Sequence, residues 1–342
     1  MTESRTLGVV GTLVWDRIVG RSGESGPVEE WGGIAYALAA LATALPDRWS
    51  VVPILKIGAD MAEEGRLFLG EIPRLDDSAL VVVPEANNRV ELRYRSESRR
   101  RERLSGGVPS WRWQELTALV DGFDALYVNF ISGYEMDLET ATTLRAAYSG
   151  PIYSDLHSLF LGEDERGHRI PRPLGPWAAW FRCFDAVQMN ADEFDLLGGV
   201  GDPWARAGCA LGDDLRLIAV TDAEHGASVA IPAGLDHNPM SWRSRASRAG
   251  AARTEGGRVK LAGPAVEGDP TGCGDVWGAT MFARLLGGDP VEAAMTEANR
   301  LAGLNVRRRG ARGLYEHFVG SGMRQEGDSV NTGSGLNVEV AL

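Results

Sequence analysis

Short apolar runs recur along the chain, and most are followed by a segment whose apolar positions repeat at helical spacing. "TLGVVGTLVWDRIVG" (6–20) predicts a buried strand that continues into a second extended segment. "GGIAYALAALATAL" (32–45) is apolar nearly all round and predicts a buried helix. "WSVVPILKIGAD" (49–60) predicts a strand, followed by a helix through "AEEGRLFLGEI". "ALYVNFISG" and "PIYSDLHS" flank the helix-like "DLETATTLRAAY", and "AVQMNADEFDLLGG" and "LRLIAVTDAEHGASVA" continue the alternation. Strand and helix alternating in this way predict an α/β fold: a mostly parallel central sheet with helices on both faces, a three-layer αβα sandwich.

Two stretches break the rhythm. Residues 80–105 alternate polar and apolar positions like a half-exposed antiparallel sheet, which predicts a small β-lid joined by the segment around residues 12–30. The seven arginines from Arg89 to Arg103 lie inside it, either as a solvated lid face or as a phosphate- or partner-binding cluster. From Gly320 the chain is rich in glycine and serine until an apolar end. This divides it into a domain over 1–320, with the lid inserted, and a tail over 321–342 that reads as a linker with a short docking strand.

The net charge of −12 and pI near 5.0 argue against a general nucleic-acid binder. No apolar run approaches the ~18 residues needed to span a bilayer. Cys183, Cys209 and Cys273 form no CxxC pair, and the start "MTESRTLG" is polar; both suit a reducing cytoplasm. The histidines show no HExxH spacing.

The densest chemistry lies in "DPTGCGDVWGATM" (269–281). Glycines before a helix bring backbone N–H groups to its positive end, which makes an anion site. GxxxxGK[ST] occurs nowhere, so the anion can be a phosphoryl group in flight, with Asp275 accepting the proton of an attacking hydroxyl. Read alone, Asp275 is equally an acid capping its helix after a tight turn. Glu135, Asp137 and Glu139 read as a solvated helix start.

This stretch resembles the second signature of the PfkB (ribokinase-like) family of sugar and nucleoside kinases, D-[TP]-x-G-A-G-D followed by a helix. The resemblance implies that Gly272, Cys273 and Gly274 form the anion hole and Asp275 is the catalytic base. Cys273 and Thr280 depart from the residues usual there. "WGGIAYALAAL" is similar to the family's diglycine motif, which implies that Gly32 and Gly33 let the backbone approach the substrate, while Asp16 in "GTLVWD" matches the aspartate that binds substrate hydroxyls. "MNADEFDLL" matches N-x-x-E, which implies that Asn190 and Glu193 help to place Mg²⁺, through water, and phosphate; three apart, they are expected on one helix face. "VTDAEHGASV" resembles the nucleotide-binding V-T-x-G-x-x-G-A, with Thr221 and Gly226 kept and Ala223 replacing a glycine. "EANRLAGLNVRRRGA" looks like the helix flanking the adenine.

The resemblance thus implies a cytoplasmic kinase that moves the γ-phosphoryl group of Mg·ATP to a sugar or nucleoside, and it allows for K⁺ and for a homodimer formed through the lid. The departures cluster in the sugar pocket. Val14 and Ala37 stand where asparagines are frequent, and Asp155-Leu156-His157-Ser158-Leu159 stands where relatives show D-x-N-x-R. With Trp15, Trp31 and Tyr36 near the motifs, the pocket reads as less polar than a plain ribose site, unless those aromatics belong to the core. His157 reads equally as a ligand contact or a strand-end residue. A binding protein of this family without catalysis is the remaining alternative. A Rossmann dehydrogenase is disfavoured, since "GVVGTL" lacks G-x-G-x-x-G.

Overall fold

Neighbouring residues of the apolar runs face opposite ways, and this builds the layers. Leu7 and Val9 enter one core and Val10 the other; Ala125 and Tyr127 oppose Leu126 and Val128; Leu217 and Ala219 oppose Ile218 and Val220. A strand buried on both faces must be covered twice, and helices on both sides do so. The computed structural model describes residues 4–19, 26–94, 100–198, 202–212, 214–243, 253–261 and 266–328.

In chain order, β1 (Arg5–Val10) leads into β2 (Leu13–Val19), β3 (Val28–Gly33) and helix α1 (Ile34–Ala44). There follow β4 (Trp49–Gly58), α2 (Ala62–Gly70), β5 (Leu80–Val83), β6 (Arg89–Tyr94), β7 (Arg100–Ser105) and α3 (Trp113–Val120). The middle of the chain forms β8 (Ala125–Asn129), α4 (Leu138–Ala147), β9 (Ile152–Asp155), β10 (Leu161–Glu163), β11 (Arg169–Pro171) and α5 (Trp177–Phe181). Then come β12 (Ala186–Asn190), α6 (Ala191–Asp195), α7 (Pro203–Gly208), β13 (Leu217–Thr221), β14 (Ala227–Pro232) and β15 (Thr254–Val259). The last three are α8 (Cys273–Gly287), α9 (Val291–Asn305) and α10 (Leu314–Asp328).

The large sheet has the order β15-β14-β13-β12-β9-β8-β1-β4-β5, parallel except for the antiparallel β13–β14 and β14–β15 pairs. Helices α1, α8 and α9 and part of α10 cover one face; α3, α4 and α5 pack on the other. This is the expected three-layer αβα sandwich.

The lid is a second sheet, ordered β10-β11-β7-β6-β2-β3. Its composition differs from the sequence reading in three ways. Residues 80–83 belong to the large sheet, where β5 pairs in parallel with β4. The short strands β10 and β11, which carry no alternation long enough to signal, complete the lid. Finally, β2 and β6 run parallel, because residues 34–88 return through the large sheet before β6 joins the lid. Val14, Ile18, Val90, Leu92 and Tyr94 give the lid its own apolar core.

Of the arginine cluster, Arg89 pairs with Asp60 and Arg93 with Glu91, whose carboxyl is held below its usual range by that contact; Arg95 and Arg99 lie outside the described residues. Helix α10 continues past residue 320 to Asp328. The docking strand expected near the end of the chain lies outside the described residues. No helix among the described residues is long and apolar enough to cross a membrane.

Candidate active site

The strand ends at Asp155, Asn190 and Thr221, the first turn of α8 and the lid surround a cleft of about 1110 Å³. Every candidate site residue except Gly32 lines it: Asp16, Gly33, Asn190, Glu193, Thr221, Gly226, Gly272, Cys273, Gly274 and Asp275. Gly32 lies directly beneath Asp16, since a Cβ there would come 1.9 Å from Asp16 Oδ2. At Asp16 the β-lid therefore presents a carboxylate that is almost fully buried yet lines the cleft.

Gly272 caps α8 in the left-handed conformation, with φ of 77°, and a Cβ there would strike the Tyr36 ring at 2.3 Å. Only glycine meets both demands without strain. The Asp269 carboxylate receives Thr271 N and Oγ1 at 3.0 and 2.7 Å, which shapes the approach to the turn, and Tyr94 of the lid reaches Thr271 Oγ1 at 3.5 Å.

Within the turn, the Cys273 N–H donates to Pro270 O at 3.1 Å, whereas those of Gly272 and Gly274 have no acceptor among the described residues. The donors left for an anion thus come from the glycines on either side of Cys273 rather than from all three residues. The Cys273 thiol turns towards α9, near Ala302 O and the Asn305 amide. Burial, and then Asp269 and Asp275, push it up to about 11 against the Asn305 contact.

Asp275 receives Asn129 Nδ2 at 2.8 Å. Nearby, Asp155 receives Gln188 Nε2 and His157 N, each at 3.0 Å, and burial followed by the Asp275 charge pushes its carboxyl up to about 8.

Asn190 and Glu193 do not share a helix face. Asn190 is the N-cap of α6, and the two form a reciprocal capping box: Glu193 N donates to Asn190 Oδ1 and Asn190 N to Glu193 Oε2, each at 2.9 Å. Glu193 Oε1 also receives Asn190 Nδ2 at 2.6 Å and pairs with His157 Nδ1. Burial lowers the His157 imidazole, but the Glu193 carboxylate outweighs it and raises His157 to about 9. His157 is thus a cation within the cleft, which its place at a strand end did not reveal. With its oxygens already engaged by the two Asn190 N–H donors and His157, Glu193 suits a metal held through water better than direct ligation. No cluster of three or more metal-ligating side chains occurs among the described residues.

Two further expectations change. Trp31 is wholly buried, edge-on to Trp15 and stacked on Phe68, so of the three aromatics only Tyr36 lines the cleft. The apolar lining comes instead from Val14, Val90, Leu92, Ile131 and Met189. Glu135 is buried, not solvated: its carboxylate receives Thr12 Oγ1, Ser132 Oγ and the N–H groups of Ile131, Ser132 and Gly133. It fastens the loop after β8 to the lid's hinge at Thr12. The glycine and small polar residues around it were the available signal.

The sequence reading missed Asn129, Gln188 and the Glu102–Arg169 pair. Arg169 donates to Glu102 at 2.8 Å and to the carbonyls of Ile131 and Ser132, so it joins the lid to the cleft rim.

No protein-family model matches the chain, and no curated protein matches its sequence. Solved structures do. The chain is similar to the Burkholderia thailandensis nucleoside kinase in complex with inosine, at 16% identity and a TM-score of 0.65, covering 91% of this chain and 93% of that one. It is similar to the ribokinase of Cryptococcus neoformans var. grubii serotype A in complex with ADP, at 18% identity and a TM-score of 0.65, covering 94% and 100%. It is also similar to a pyrophosphate-dependent kinase of the ribokinase family in a sulfate complex, at 14% identity and a TM-score of 0.66, covering 92% and 99%. Likeness at this identity shows the fold, and the fold is ribokinase-like.

Proposed function

We propose that this chain is a kinase that transfers the γ-phosphoryl group of Mg·ATP to a hydroxyl of a sugar or nucleoside, with Asp275 as the base. The observation that carries the reading is that Asp16 and Asp275 line one cleft together with the glycine turn at the start of α8. Asp16 would accept hydrogen bonds from acceptor hydroxyls, each such charge-assisted bond being worth ~1.5–3 kcal/mol. Asp275 would take the proton of the attacking hydroxyl. The N–H groups of Gly272 and Gly274, at the positive end of a fifteen-residue helix, would stabilise the charge of the phosphoryl group as it moves. The lid would exclude water.

The donor is read as a nucleotide because the cleft continues past the turn to Ala302, Gly303 and Val306, with Thr221 and Gly226 opposite, which gives room beyond the phosphates. Pyrophosphate, the donor class named for one structural neighbour, would leave that wall uncovered. Mg²⁺ on the donor phosphates would neutralise their charge, and Glu193 and Asn190 would orient its water shell.

For the acceptor, the apolar wall of Val14, Val90, Leu92 and Ile131 suits a planar group beside the hydroxyls and so favours a nucleoside as the second reading. ADP release from Mg·ATP over a panel of sugars and nucleosides, including D-ribose and inosine, tests the proposal. Asp275→Asn should lower kcat for the active acceptor by roughly 10²–10⁴. Transfer to no acceptor would leave a ligand-binding protein on a kinase fold.

A further inference from the structure

Two amides hold the first turn of α8 from beneath. Asn129, the last residue of β8, donates Nδ2 to Asp275 Oδ1 at 2.8 Å. Gln188 of β12 donates Nε2 to Gly274 O and to Asp155 Oδ2, each at 3.0 Å. Its own Oε1 accepts from Tyr153 at 3.0 Å, which fixes the amide with its N–H groups towards α8. In the strand register both residues pair with Asp155, so Asn129, Asp155 and Gln188 form one polar rung across β8, β9 and β12. All three are buried.

Stability does not account for the asparagine. Its side chain is wholly buried, and its Oδ1 has no partner among the described residues, which is a cost that an apolar residue of the same size would avoid. What the asparagine provides is its bond to Asp275. Gly278 belongs to the same arrangement, since a Cβ there would meet Gln188 Oε1 at 1.9 Å.

We propose that Asn129 is a positioning residue for phosphoryl transfer: it fixes the plane of the Asp275 carboxylate, while Gln188 fixes the turn that carries it. The inference rests on the reading of Asp275 as the base. A hydrogen bond donated to a carboxylate also favours its ionised form. Asp155 on β9, Tyr36 on α1, Tyr127 on β8 and Cys273 on its own helix interact with the Asp275 carboxylate. The Asn129 amide gives that carboxylate a direct donor from the end of β8.

The test is made on the full chain. Carbon-13 NMR follows the aspartate carboxyls, with the Asp275 signal identified by its loss in Asp275→Asn. In Asn129→Leu, Asp275 should titrate about one pH unit higher than in the wild type. Transfer from Mg·ATP to inosine or D-ribose should lose about tenfold or more in kcat with little change in either KM. Asn129→Asp keeps the side-chain shape if the leucine variant does not fold, and its second carboxylate should move the titration up further. An Asp275 titration unmoved in a folded variant overturns the proposal. A loss confined to the acceptor KM also overturns it, because Asn129 would then be a substrate ligand. Full activity of Asp275→Asn removes the base reading instead, which the NMR titration distinguishes from a failure of the positioning role.

Discussion

The Asp16 carboxylate fills the space that a side chain at position 32 would need: a Cβ on Gly32 would lie 1.9 Å from Asp16 Oδ2 and 2.6 Å from its Cγ. Gly32 therefore seats the proposed acceptor-binding carboxylate, while Gly33 lines the cleft itself. Gly32→Ala should displace Asp16 and weaken acceptor binding by about tenfold or more, or ~1.4 kcal/mol, with ATP affinity unchanged. Calorimetry with each ligand separately checks this; equal losses for both would place Asp16 outside the acceptor site.

Ala223 sits where the family resemblance expects glycine, and it holds a positive φ of 40°. A left-handed backbone costs a residue with a Cβ ~1–2 kcal/mol. Glycine returns part of that gain through its unfolded-state freedom, ~0.5–1 kcal/mol. Ala223→Gly should therefore raise the melting temperature by about 1–2 °C. A lower melting temperature would show that contacts of the Ala223 methyl group outweigh the strain.

Asp155 and His157 tie stability to pH in the same direction. Asp155 rises from 3.8 to about 8 in the folded chain, chiefly through burial, so its contribution is complete at low pH and is lost as pH climbs through 8. His157 rises from 6.5 to about 9: burial works against it, and the Glu193 carboxylate overcomes burial. Its contribution is complete below about 6.5 and lost through 9. The melting temperature should fall steadily between pH 6 and 9. Asp155→Asn should melt lower at pH 6, because its amide confronts the Gln188 amide, yet show a shallower decline. An equal slope in both proteins would mean that Asp155 is ionised throughout.

The layers were legible because strands buried on both faces are continuous apolar runs, and Leu7, Tyr127 and Ala219 sit where such runs require. The motif residues were legible as types. Their geometry was not: Asn190 and Glu193, read as neighbours on a helix face, form a capping box, because the helix begins one residue after the asparagine. Glu135 was read from its acidic neighbours as solvated, but the N–H groups of the loop at 131–133 enclose it. Asn129 and Gln188 lie inside apolar runs, where nothing local distinguishes a polar residue that serves a helix 86 or 146 positions away. Strands β10 and β11 are three residues each, too short for any period to show.

Cys273 lies in the turn proposed to hold the anion, yet its thiol faces α9. Its Sγ faces Ala302 O at 3.5 Å and Asn305 Nδ2 at 3.4 Å, on the α9 side. Two influences compete there. The helix N-terminus favours a thiolate. Burial opposes it, helped by Asp269 and Asp275, and the thiol ends at about 11. At pH 7.5 Cys273 should therefore react with iodoacetamide far more slowly than the exposed Cys209, by an order of magnitude or more, since the thiolate is the reacting species. Mass spectrometry over a time course, with activity followed in parallel, gives both rates. Modification confined to Cys209 should leave activity intact. Cys273→Ala should remain active, because the N–H groups left to the anion belong to Gly272 and Gly274. Cys273 reacting as fast as Cys209 would show that the thiol spends much of its time turned into the cleft, and the modified protein should then be inactive.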